Sequence, residues 1–205
     1  MSDRSTKSLA LALIPTGIAL NIALGTLVSV VKLPIFMDAV GTIIVTLLIG
    51  WRAGVVVGVV SFLLMAVLVN PAYVYFIGTQ ACIALVVYVF ATRLRSFRSL
   101  GATIATGVAV SIVAAIVSAP VIVLAFGGVA GSGRDLITAV LMNSGTQIVK
   151  AVLLSGAASE PIDKTLQVLL AASLIRTAPR TLIDRFQSGI VRANGYLNGV
   201  KPKVG

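Results

Sequence analysis

The groups able to do chemistry are concentrated in the run Leu136 to Lys164, LITAVLMNSGTQIVKAVLLSGAASEPIDK. It is apolar enough to cross a bilayer, yet it carries Asn143, Gln147, Lys150, Glu160, Asp163 and Lys164. An uncompensated ionisable group at bilayer depth costs at least about 2.5 kcal/mol, so such groups face a protein interior, a water-filled cavity or a ligand. Asn143, Gln147 and Lys150 stand at i, i+4 and i+7, which on a continuous helix puts them within roughly 60 degrees of one another. Amides and an amine on one face either converge on a polar solute or hydrogen-bond neighbouring helices. Glu160 next to Pro161 reads as the start of a helix, where acids suit the positive end of the dipole. Asp163 and Lys164 lie deeper and can form an ion pair that orients or gates a ligand.

Further polar positions stand at segment ends. In KLPIFMDAVGT, Lys32 to Thr42, Pro34 favours extended chain before it. Asp38 is then either the rim of a loop closing over a pocket or a helix cap. Asn70-Pro71-Ala72-Tyr73-Val74-Tyr75 makes a second connection, in which Tyr75 reads as an interface anchor or, with Gln80, as pocket lining. On the first apolar segment Ser8, Ala12, Thr16, Ala19, Ala23 and Thr26 form a small-residue face that lets another backbone approach. Asn21 points about 200 degrees away from Ala19, into the bundle. Gly50, Gly54 and Gly58 read as a second small stripe, used for internal packing.

Whole classes of chemistry are disfavoured. The chain has no histidine and one cysteine, Cys82, so metal clusters, disulfide frameworks and His-based nucleophiles have no ligands or bases; no cofactor and no metal site is expected. No GxxxxGK[ST] phosphate loop is present. The net charge of +10 is spread over segment ends and the tail, with no separate basic domain for nucleic acid.

The elements that must position these groups follow from hydropathy. Of 205 residues, 58% are hydrophobic and 11% charged, and the apolar residues run in uncharged blocks of bilayer-crossing length. This predicts an all-α integral membrane protein, one domain over 1–178. The N-terminus is read as an uncleaved first span, because its apolar stretch is too long for a signal peptide. Spans are predicted near 9–31, 37–50, 53–69, 73–92, 100–126 and 162–178, with a polar outer-half segment, 135–160, that does not cross. Residues 179–205 are predicted to be a cytoplasmic basic amphipathic tail lying on the bilayer. An inside N-terminus places Arg4, Lys7, Arg52, Arg93, Arg95 and Arg98 on one side, and the basic tail belongs there too. Both termini inside require an even number of crossings, hence six. A second six-span arrangement makes 136–155 the crossing and 165–178 interfacial. Four of the six acids, Asp38, Asp135, Glu160 and Asp163, then fall at the outer end.

With these pieces in place the chain resembles the substrate-binding S components of energy-coupling factor (ECF) transporters. The resemblance covers most of Leu9 to Phe186. It rests on the small size, six spans with both ends inside, the Ala19-x-x-x-Ala23 pair, the opening LNIALGTLVSVVKLPIFMDAVGT and EPIDK before the last span. It implies a multi-pass protein of a prokaryotic cytoplasmic membrane that binds a vitamin or related micronutrient with high affinity and has no enzymatic activity. Ala19 and Ala23 would contact a coupling transmembrane subunit, and two separate ATPase subunits would supply energy. The cargo would sit in the outer half, gated by 32–38 and part of 127–163, and be released as the subunit topples. The segment before the last span is longer than the family's compact members would have, and no signature selects among thiamine-like, pyridoxine-like, flavin-like or deazapurine cargoes. The substrate-binding set expected is Asn21, Asp38, Tyr75, Gln80, Asn143, Gln147, Lys150, Asp163 and Lys164. The rival readings are a membrane sensor or assembly module and a lipid-modifying enzyme using Asp38, Glu160 and Asp163.

Overall fold

Secondary structure in the computed structural model is helical throughout the described residues, which are 3–179 and 190. The amphipathic tail predicted for 179–205, apart from Pro179 and Ile190, and the side chain of Ser8 lie outside them. The helices are α1 (Asp3–Val31), α2 (Val40–Leu48), α3 (Trp51–Leu68), α4 (Ile77–Thr92), α5 (Leu100–Phe126), α6 (Asp135–Asn143) and α7 (Ile148–Thr177). A 3₁₀ turn, Pro71–Phe76, leads into α4. The punctuation is local. Asn70 Oδ1 accepts from the Ala72 N–H at 2.9 Å, with Pro71 at the first position of the turn. Ser99 Oγ accepts from Ala102 N–H at the start of α5, and Gly127 ends that helix in the left-handed region, φ 57°.

Four segments are long and apolar enough to cross a bilayer: Leu11–Val31, Trp51–Leu68, Pro71–Thr92 and Leu100–Phe126. Their outer faces carry Leu27, Val30, Val67, Leu68, Ile112, Ile116 and Leu124, all exposed. Large aliphatic side chains facing outward along whole helices suit hydrocarbon rather than water.

The other two predicted spans take different forms. The short second span is α2, nine residues and about 14 Å long, against a hydrocarbon core of about 30 Å. Protein surrounds it: Val40, Ile43 and Leu47 are fully buried among Ile83 and Val87 of α4, Val110 of α5 and Val168, Ala171 and Ala172 of α7. Helices α1 and α2 meet where Gly41 faces Gly17; a Cβ on Gly41 would overlap the Gly17 carbonyl. In the stripe read from the sequence, Gly54 packs on Thr46 and Gly58 on Gln80, whereas Gly50 is a turn residue, φ 131°, with nothing near it.

The division at residue 160 is replaced by one continuous helix. α7 has 30 residues, about 45 Å, and Pro161 lies inside it rather than at its start. It runs antiparallel to α5, with Val152 packed on Ala119 and Ile122 near one end and Thr165 against Gly107 further along. Only α6, nine residues, remains of the separate segment.

Candidate functional site

Halfway along α7, Asp163 anchors the connection between α1 and α2. Its Oδ1 accepts from the backbone N–H groups of Phe36 at 2.8 Å and Met37 at 3.0 Å. Its Oδ2 accepts from Lys164 Nζ at 2.6 Å and Gln167 Nε2 at 2.8 Å. Gln167 in turn accepts from Ala39 N–H at 2.7 Å. Met37 needs this grip, since it occupies the left-handed region, φ 53°, which is costly for a residue with a Cβ. Asn21 of α1 secures the far end of the connection by accepting from Gly41 N–H at 2.7 Å and donating to Thr42 and Ser61.

The connection after α5 is held by its own acid. Asp135 accepts from the N–H groups of Gly131 and Ser132, both at 2.6 Å, and from the Ser132 hydroxyl. Arg134 is 3% exposed. It donates to Glu160 Oε1 at 3.1 Å, to the Val152 carbonyl at 3.0 Å and to Ser155 Oγ at 3.2 Å. At Gly133 this connection touches the one after α1, with no room for a Cβ beside the Leu33 carbonyl.

Under the two connections lies a cavity of about 100 Å³ for the centre of a water molecule, well above the roughly 10–15 Å³ that one water needs. Phe36, Phe62, Tyr73, Phe76, Ile83 and Ile122 form its apolar wall, and Asp38, Thr79, Gln80, Arg134, Glu160 and Lys164 its polar one. Lys164 Nζ is the hub: it lies 3.7 Å from Asp38 Oδ1 and 3.9 Å from Glu160 Oε2, and 5.2 Å above the Phe36 ring. Both carboxylate distances exceed hydrogen-bonding range. Asp38 Oδ1, Glu160 Oε2 and Thr79 Oγ1 accordingly have no hydrogen-bond partner though buried.

Of the residues expected from sequence, Asp38, Gln80 and Lys164 line the cavity, and Asp163 stands directly behind them as the anchor of the connection. Asn21 is fully buried but serves the α1–α2 junction and does not line the cavity. Gln80 bridges the two regions, accepting from Thr42 Oγ1 at 3.1 Å. Tyr75 points outward, 57% exposed, with its ring edge-on to Phe126.

Asn143, Gln147 and Lys150 are exposed, away from the cavity, and share no helical face. Asn143 ends α6, Gln147 precedes α7, and Gly145, φ 86°, turns the chain between them. The physical reason is the Asn-Ser-Gly stop, which breaks the periodicity on which their alignment depended. Glu160, read as a helix start, is instead paired with Arg134 in the site. The i, i+4 spacing of Glu160 and Lys164 was the available signal for the first. Nothing local marks Arg134 beyond its glycine-rich neighbourhood. Ala19 and Ala23 are exposed on α1, opposite buried Gly17, Asn21, Gly25 and Val28.

Fold and site together define a helical protein of membrane-spanning character with a charged, loop-roofed cavity inside it. No protein-family model, curated protein or solved structure matches the chain.

Proposed function

We propose that the protein is the membrane-embedded substrate-binding subunit of an ECF-type transporter in a prokaryotic cytoplasmic membrane, taking up a vitamin or related micronutrient. The observation that carries this reading is the cavity roofed by the connections after α1 and α5, where one buried oxygen each of Asp38, Glu160 and Thr79 accepts no hydrogen bond. Buried polar atoms are normally satisfied, so unsatisfied ones around an apolar-walled space suit a bound solute. In this proposal α1, α3, α4, α5 and α7 cross as helices, the short α2 makes a sixth passage in which the surrounding protein completes the barrier, and both termini are cytoplasmic. α6 is an outer, non-crossing element, and the charges of α7 are tolerated because they face protein. The exposed Ala19 and Ala23 supply a flat face for the coupling subunit, and the two ATPase subunits are separate chains. Binding needs no chemical step by the protein itself. Asp163, one of the three acids a lipid-modifying enzyme would use, has both oxygens engaged, which suits anchoring better than acid–base work on a lipid.

The decisive experiment is purification from cells grown on rich medium, followed by mass spectrometry of co-purified small molecules. A stoichiometric micronutrient, lost when Lys164 is replaced by Met, is the expected result. Finding no ligand under any extraction, together with turnover of an added lipid, would reject the proposal.

A further inference from the structure

We infer that the cavity takes a small planar organic cation carrying N–H donors, of the amidinium or protonated amino-heterocycle type. This rests on reading the cavity as the cargo site and narrows what the cargo is. The site has carboxylate acceptors to spare, and both of its cations are already engaged by groups of the protein. Lys164 Nζ is held by Asp163 Oδ2 at 2.6 Å, and the Arg134 guanidinium is engaged by Ser155, Glu160 Oε1 and the Val152 carbonyl. Asp38 Oδ1 and Glu160 Oε2 receive no hydrogen bond, and Asp38, Glu160 and Lys164 are each at most 5% exposed.

Charge points the same way. Asp38, Glu160 and Asp163 face only Lys164 and Arg134 in this cluster, so the fully ionised set lacks one positive charge. An anionic solute would meet two carboxylates, each with one oxygen that accepts no hydrogen bond, in a medium that screens poorly. A neutral one would leave the imbalance in place. A cation with N–H groups supplies the missing charge and the missing donors together. The rings of Phe36, Tyr73 and Phe76 in the cavity lining favour a flat, delocalised cation over a compact ammonium.

The test uses purified full-length protein in detergent and three probes of one shape: benzamidine, a planar cation, benzamide, its neutral counterpart, and benzoate, the anion. Affinity is read by calorimetric titration near neutral pH and by the shift in melting temperature. Benzamidine should bind at least about tenfold more tightly than benzamide, the factor expected of one hydrogen bond to a charged group, and benzoate should give no shift. Asp38→Asn and Glu160→Gln should each erase most of the preference for benzamidine. The ranking on the unaltered protein needs no variant, so a variant that fails to fold leaves the test intact. Equal or tighter binding of benzamide or benzoate, or no binding of benzamidine at millimolar concentration, overturns the inference. The transporter reading fails separately: a cation-selective cavity in a protein that mediates no uptake of the co-purified compound keeps this inference and rejects that one. Coupled uptake of an anionic compound does the reverse.

Discussion

Asp38 and Asp163 are both buried, and their surroundings give them opposite roles. Asp163 satisfies two backbone N–H groups, a lysine and a glutamine; Asp38 Oδ1 satisfies none. Asp163→Ala should therefore destabilise the protein by about 3–5 kcal/mol, because it strands a buried lysine and frees the connection after α1, and thermal unfolding in detergent would show it. Asp38→Asn should instead stabilise the ligand-free protein by about 1 kcal/mol, the order of an unsatisfied buried group, while weakening ligand binding.

At the scale of elements, two junctions decide the geometry. The α1–α2 crossing depends on the absence of side chains at Gly17 and Gly41, where a Cβ has no room. Gly41→Ala must separate the two helices. Its cost should exceed the roughly 1–3 kcal/mol of ordinary overpacking, because the atom it meets is backbone and cannot change rotamer. A melting temperature within a degree or two of the parent would contradict the close crossing. The other junction is the turn between α6 and α7. Since Gly145 breaks the helix there, replacing Asn143, Gln147 and Lys150 together by alanine should change stability by less than about 0.5 kcal/mol per site and leave ligand co-purification intact. Loss of ligand in that variant would restore these residues to the site.

At the scale of the molecule, apolar surface lies outside and charge lies within, the arrangement that lipid imposes. The proposed topology places the C-terminus in the cytoplasm, so a tag after Gly205 should resist external protease in intact cells; cleavage there would require an odd number of crossings. The proposed coupling face makes a second prediction. Leucine at both Ala19 and Ala23 should abolish uptake while sparing ligand binding, because both positions are exposed and far around α1 from the buried Asn21. Equal loss of binding would mean that this face supports the cavity.

The sequence by itself determined the helical class, the four long apolar segments, the closing positions of α1 and α5, and the inward direction of Asn21, because hydropathy and helical period act within a few turns. It also marked Lys164 as too costly to leave in lipid, and offered Asp38 as the rim and Gln80 as the lining of a pocket. Tertiary structure alone decided which polar groups meet. Arg134 reaches Glu160 across 26 positions of chain, and Asp163 grips Phe36 across 127. No local pattern encodes such pairings. The alignment of Asn143, Gln147 and Lys150 is lost for the complementary reason: it assumed a helix through Ser144 and Gly145, and the turn at Gly145 leaves those side chains exposed, away from the cavity.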